Sequence, residues 1–267
     1  MKGIFLDIDG TLTPLGSSVP PDSAAKAISA ARARGHKVFL CTSRSMPMLA
    51  PLLPYGFDGV VASAGGHVEI HNQVLFDCPM TRQQRDTALS AFHSQGVFCI
   101  AEAAGGTFGD ENLPGQLPAD EPIRRWLGEL AEPLGIRPMA DYNGSPVYKV
   151  VFLCREEAQL KPAREALEED FLFRFQWAPP GVLCGELINR KFDKGRGVLR
   201  MCRHLGLNRA DTYGFGDSLN DLEMLQAVGF GVAMASGNAQ LKAAADYISP
   251  PPEADGLAKT FAHLGLI

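Results

Sequence analysis

The sequence lacks the features that would set it apart from ordinary globular proteins. Its six cysteines (Cys41, Cys78, Cys99, Cys154, Cys184 and Cys202) form no Cys-x-x-Cys pair, which excludes a zinc knuckle and a dithiol redox motif. They are expected to be free thiols in a reducing compartment. No apolar run approaches the roughly 18 residues of a membrane span. The apolar start Met1–Leu6 meets Asp7 and Asp9 before reaching the roughly 7 to 15 residues of a signal-peptide core, so a cytoplasmic location is expected. Positive charge is not in excess: 25 basic residues face 30 acidic ones, which argues against nucleic acid or an anionic membrane as partner. There is no repeat and no low-complexity tract, and 46% hydrophobic with 21% charged residues excludes fibrous and disordered classes.

What is present is a chain of 267 residues, long enough for two domains at roughly 150 residues each. Ile4–Leu6 reads as a buried strand, a helix follows from about Pro21 to Arg34, and Lys37–Cys41 is a second strand. A helix is expected near Ser45, then a third strand at Asp58–Ala62. The rhythm returns late in the chain, with helices at Lys194–Leu205, Leu219–Val228 and Ala239–Ala244 alternating with strands at Thr212–Phe215, Phe230–Ala233 and Tyr247–Ile248. Such alternation predicts an α/β fold with a Rossmann-like, doubly wound parallel sheet. Between the halves the pattern loosens, with Gly and Pro punctuation. Helices are expected there at Arg82–Ser94, Pro122–Ala131 and Glu156–Glu169, and strands at Val147–Leu153 and Phe171–Phe175, an α+β insert with its own core. The expected division is 1–80 and 187–267 for the core and 81–186 for the insert, which holds both Trp126 and Trp177.

Four elements carry chemistry. The first strand runs into Asp7-Ile8-Asp9-Gly10-Thr11, two carboxylates two residues apart where an α/β sheet presents its ligands. Strand alternation would put both on one side, and two close carboxylates call for a divalent cation or a shared proton. Thr42-Ser43-Arg44 ends the second strand, before a helix N-terminus that would favour an anion. Lys194 opens a helix where a cation is electrostatically misplaced, which implies an anionic partner. Gly214-Phe215-Gly216-Asp217-Ser218-Leu219-Asn220-Asp221 lacks the third glycine of a dinucleotide fingerprint, but it brings three more oxygen-bearing side chains suited to octahedral magnesium. Together these elements specify phosphoryl transfer, in which a metal clamps a phosphate, one carboxylate attacks phosphorus and another handles the proton.

These residues resemble the haloacid dehalogenase-like superfamily and, within it, the Cof-type phosphatases. The resemblance is close over roughly residues 1–77 and from Glu186 to the C-terminus, and looser in between. It implies that Asp7 is the nucleophile and Asp9 the general acid/base whose backbone carbonyl also meets Mg2+. It further implies that Thr42 and Ser43 lie in the phosphate-binding loop, that Lys194 balances charge, and that Asp217 is a metal ligand with Asn220 near the phosphate and Asp221 supporting it at the metal. Two positions depart from the family: Ser43 stands where glycine is usual, and Ala64-Gly65 where Asn-Gly is usual. The implied activity is magnesium-dependent hydrolysis of a small phosphomonoester (a sugar phosphate, nucleotide or cofactor phosphate) by a monomer or small homo-oligomer. The insert would be a cap that closes over the phosphate and chooses the leaving group, with Arg124, Tyr148 and Lys149 as candidate contacts. A phosphotransferase or phosphomutase using the same aspartyl-phosphate, and a non-catalytic phosphometabolite sensor, are the alternatives. His67 and His71 are expected to be structural or solvent-exposed.

Overall fold

The structure is a computed structural model that describes residues 1–111, 135–176 and 178–267. The expected helix at Pro122–Ala131, with Arg124, Trp126 and Trp177, lies outside the described residues. The chain divides into two compact units, Met1–Asp77 with Phe192–Ile267, and Cys78–Lys191.

The first unit is an eight-stranded sheet. Numbered along the chain, its strands are β1 (Gly3–Leu6), β2 (Lys37–Cys41), β3 (Gly59–Ala62), β4 (His67–Ile70) and β5 (Gln73–Asp77), then β12 (Thr212–Gly216), β13 (Phe230–Met234) and β14 (Tyr247–Ser249). The spatial order is β14-β13-β12-β1-β2-β3-β4-β5, parallel from β14 to β3, with β4 and β5 added antiparallel. Strand β1 lies between β12 and β2, with the strands that follow it early in the chain on one side and the late ones on the other, so its carboxyl end is a topological switch point. The four β1 residues are fully buried, as a central parallel strand covered on both faces requires. On one face the helix Asp22–Ala33 packs its stripe of Ala24, Ala27, Ile28 and Ala31. On the other, Val198, Met201 and Cys202 of the helix Lys194–Leu205 cover Phe5, Phe39 and Val61.

Two expectations about elements are corrected. The helix near Ser45 is instead a pair of 3₁₀ turns, Met46–Leu49 and Leu53–Tyr55, because Pro47, Pro51 and Pro54 remove the amides an α-helix needs. Residues 42–44 therefore lack the anion-favouring α-helix N-terminus. The long helix expected over Glu156–Glu169 begins as a 3₁₀ turn, Glu157–Leu160, and becomes helical only over Lys161–Leu167, with Pro162 in its first turn.

The second unit is a six-stranded sheet of β6 (Phe98–Ala103), β7 (Gly106–Gly109), β8 (Arg137–Pro138), β9 (Val147–Cys154), β10 (Phe171–Gln176) and β11 (Leu183–Asn189), ordered β10-β11-β9-β6-β7-β8. Only the β7–β8 pair is parallel among its described pairings. The helices Arg82–His93 and Lys161–Leu167 cover one face, packing Ala88, Phe92, Ala163 and Leu167 on Phe152, Phe171 and Leu187. The opposite face carries Phe98, Ile100, Val151 and Leu153 and a buried ion triad, in which the Lys149 ammonium meets Glu102 3.1 Å away on β6 and Glu186 on β11. Lys149 is thus committed to its own sheet, and Tyr148 is also buried. Among the described residues no helix is long and apolar enough to cross a membrane.

Candidate active site

The carboxyl ends of β1, β2 and β12 and the start of the helix Lys194–Leu205 bring the charged residues together. Asp7 follows β1 directly, and its amide donates to the Phe215 carbonyl of β12 at 3.0 Å, fixing one strand end to the next. Asp193 caps the helix by accepting from the Arg196 amide, which sets Lys194 at the first helical position. The Lys194 ammonium, 1% exposed, donates to Asp7 Oδ1 at 2.6 Å, Asp221 Oδ1 at 2.5 Å and Asn220 Oδ1 at 3.1 Å. The cation that seemed misplaced at a helix N-terminus is held by two buried carboxylates. All three ammonium protons are used.

Asp221 is fully buried, and its second oxygen accepts from the Asp217 and Ser218 amides, both at 3.1 Å. That pairing folds the loop after β12 back on itself and aims Asp217 at Asp7. Carboxylate oxygens of Asp7, Asp217 and Asp221 all lie within 4.8 Å of one another. Burial, then the charge of Asp221, pushes the Asp7 carboxyl well above the usual carboxylate range against the pull of Lys194. The same two causes push Asp217 up to about 7. With all three carboxylates ionised, one ammonium leaves the cluster two positive charges short of neutrality, the deficit that a divalent cation would fill with hard oxygen ligands.

Gly10 explains why a glycine follows the second aspartate. Its φ is +77°, and a Cβ there would lie 2.5 Å from Asp217 Oδ2. Any larger residue would displace Asp217 from the cluster.

Asp9 departs from the sequence reading. Its carboxylate is not among the three that cluster with Lys194; it is paired in two-pronged fashion with Arg44, Nε to Oδ2 at 3.0 Å and Nη2 to Oδ1 at 2.5 Å, and it is 46% exposed. The chain turns at Ile8, whose carbonyl accepts from the amides of Thr11, Leu12 and Thr13, so strand alternation has ended before Asp9. Arg44 is the side chain beside the site that residue-type reasoning passed over. The available signal was its place in Thr42-Ser43-Arg44, but only the fold shows which carboxylate it clamps.

Thr42 is buried and its hydroxyl accepts from the Arg44 amide at 3.1 Å. Ser43 Oγ accepts from Asn220 Nδ2 at 3.0 Å, while Asn220 Oδ1 accepts from Lys194 and from Ser218 Oγ at 2.8 Å. The amide orientation of Asn220 is fixed by these partners, and with its lone pair engaged the Ser43 hydroxyl is free to donate. Beside this loop Ser63, Ala64 and Gly65 all have positive φ, at 50°, 55° and 95°. Their amides at Ser63 and Ala64 donate to the Arg44 and Thr42 carbonyls, and Gly65 packs where a Cβ would strike the Asp193 carbonyl at 2.2 Å. His67 stands away from the carboxylate cluster, 2.9 Å from Asp77 and 3.3 Å from Glu69 in the β4–β5 hairpin, and His71 sits in its turn with φ at 47°.

Known proteins resemble the chain along almost its whole length. Residues 4–261 match the profile of a family described as haloacid dehalogenase-like hydrolase. The candidate phosphatase YkrA of Bacillus subtilis is 28% identical over 268 residues, covering 100% of this chain and 98% of that protein. A crystal structure of a hypothetical protein from Geobacillus kaustophilus superimposes with a TM-score of 0.82 at 26% identity, over 100% of this chain and 99% of the other. The subclass IIB sugar phosphatase BT4131 superimposes with a TM-score of 0.78 at 25% identity, over all of both chains.

Proposed function

Because the chain belongs to the haloacid dehalogenase-like hydrolase family, whose members include phosphatases and phosphotransferases, we propose that it hydrolyses a small phosphomonoester through an aspartyl-phosphate at Asp7. The observation that carries this reading is the Lys194 ammonium, buried at the switch point between Asp7 and Asp221 with Asp217 alongside.

In the proposed reaction an oxygen of the Asp7 carboxylate attacks phosphorus as the bond to the leaving oxygen breaks, and Asp9 delivers a proton to that oxygen. In the structure Arg44 holds both Asp9 oxygens, so this step requires that one of them leave Arg44 and carry the proton. Asp9 then takes a proton from water, whose oxygen attacks phosphorus and frees Asp7 and inorganic phosphate. Thr42 and Ser43 contribute hydroxyls and Asn220 an amide to the phosphoryl oxygens, while Lys194 opposes the upward push on the Asp7 carboxyl and offsets the charge that builds on phosphorus. The oxygen-only donors and the charge deficit fit Mg2+, which Asp7, Asp217 and the Asp9 main-chain carbonyl would hold, with Asp221 behind them. When bound, it supplies Lewis-acid stabilisation of the phosphoryl group. The second unit is proposed as the part that selects the leaving group.

The test is phosphate release from a panel of phosphomonoesters and an aryl phosphate, with Mg2+ and then with chelator, in the native chain and in Asp7→Asn. Release that requires both Mg2+ and Asp7 is expected. Full turnover by Asp7→Asn would refute the nucleophile assignment, and phosphate passing to a second hydroxyl instead of water would make the enzyme a phosphotransferase.

A further inference from the structure

A second set of metal-ligating side chains lies in the unit Cys78–Lys191, on residues to which the proposed reaction gives no part. His93 ends the helix Arg82–His93, Cys99 is the second residue of β6, and Asp110 directly follows β7. A ring nitrogen, the thiol sulfur and a carboxylate oxygen of these residues all lie within 4.8 Å of one another. The backbone holds the three in place: Asp110 Oδ2 accepts from the Cys99 amide at 2.9 Å, and the Asp110 amide donates to the Cys99 carbonyl at 3.1 Å. His93 Nε2 lies 2.9 Å from Asp110 Oδ2, and the thiol makes a weak 3.8 Å hydrogen bond to the Val97 carbonyl. Cys99 is fully buried, whereas the His93 side chain is 44% exposed and leaves the cluster open to solvent on one side.

We infer that His93, Cys99 and Asp110 form a binding site for a zinc-like divalent transition-metal ion. One nitrogen, one sulfur and one oxygen donor suit a borderline-soft ion and disfavour magnesium and calcium, which seek oxygen alone. Zinc binds such ligands at about 2.0 to 2.3 Å, so a tetrahedral site holds its donor atoms roughly 3.3 to 3.7 Å apart. Reaching that geometry takes side-chain shifts of about 1 Å or less from the separations present, with water in the fourth position on the exposed side. The helix that ends at His93 presents its carbonyl end there, which favours a cation. On binding, the thiol proton passes to solvent as the metal–sulfur bond forms. The imidazole carries its hydrogen on Nδ1 and gives the Nε2 lone pair to the metal, replacing its hydrogen bond to Asp110. The ion would tie the end of this helix to the β6–β7 hairpin.

The experiment is a Co2+ titration of the full chain in excess Mg2+, which occupies the all-oxygen cluster and cannot give a sulfur signal. The native chain is expected to develop a thiolate-to-cobalt charge-transfer band that saturates at one equivalent and is removed by Zn2+. Cys99→Ser abolishes the band, His93→Gln weakens Co2+ binding by more than about tenfold, and Cys154→Ser, which removes another buried thiol of the same unit, leaves it intact. A native chain with no such band at saturating Co2+, or a band that survives Cys99→Ser, overturns the site. Should Cys99→Ser fail to fold, His93→Gln at the exposed helix end decides by the same titration, and undiminished affinity there is equally fatal.

Discussion

Asp217→Asn should stabilise the fold in the absence of metal while removing a proposed ligand. Asp217 sits against Asp7 and Asp221, and burial with the Asp221 charge pushes its carboxyl up to about 7. A folded-state value above the unfolded one of 3.8 means that the folded chain binds this proton more tightly. The resulting stabilisation is complete below about pH 4 and is lost as pH rises through 7. The shift corresponds to about 4 kcal/mol at 1.36 kcal/mol per pH unit. Asp217 is only partly buried, so solvent screening reduces this to about 2 kcal/mol. Asparagine keeps the shape and removes the charge. Calorimetric melting in chelator should therefore show Asp217→Asn more stable than the native chain at pH 8, by about 4 to 8 °C at 2 to 4 °C per kcal/mol. The two should converge near pH 4. Adding Mg2+ at pH 8 should raise the native melting temperature and leave the variant unmoved, reversing the order. A variant less stable than the native chain at pH 8 in chelator, or a difference that does not change with pH, would refute the account of the carboxylate cluster.

Other perturbations test single contacts. Ser43→Gly removes the acceptor of the Asn220 amide and a free hydroxyl; losing one hydrogen bond of about 1 kcal/mol should weaken inhibition by inorganic phosphate roughly fivefold, and an unchanged inhibition constant would put Ser43 outside the phosphate site. Ala64→Gly relieves a left-handed backbone at φ 55° and should raise stability by about 1 kcal/mol in chemical denaturation, whereas a loss would show that the alanine methyl packs usefully. Lys149→Ala takes the shared ammonium from Glu102 and Glu186 in the second sheet and should cost about 3 to 5 kcal/mol, read from the urea midpoint; a change below 1 kcal/mol would mean that water or another partner offsets the loss.

The parallel sheet and the gathering of charged residues at its strand ends were legible because both are local. Alternating apolar runs placed β1, β2, β12 and β13, and a carboxylate just beyond a buried strand has few places to go. Proline chemistry near Ser45 was equally local but was outweighed by the expectation of continued β-α alternation. The Arg44–Asp9 pair was not legible, because it spans 35 residues and depends on where the turn at Ile8 sends a side chain. The β4–β5 hairpin and strands β6, β7 and β11 escaped for a related reason. Their antiparallel pairing is settled by partners elsewhere in the chain, and their glycines and charged residues mask the period-two pattern.

The unit that carries the carboxylates is assembled from both ends of the chain, with β1 pairing β12 and Lys194 reaching Asp7 across 187 residues. During synthesis β1 and β2 are made long before β12 exists, so β1 waits with an unpaired apolar edge. The continuous stretch Cys78–Lys191, with its own core, can complete its contacts in that interval. Closing the remaining sheet then bears the loop entropy of the whole intervening segment at once. The exposed edge of β1 is consequently where a nascent or truncated chain is most open to mispairing with another copy, and Asp7 meets Lys194, Asp217 and Asp221 only after the later segment that carries them has been made.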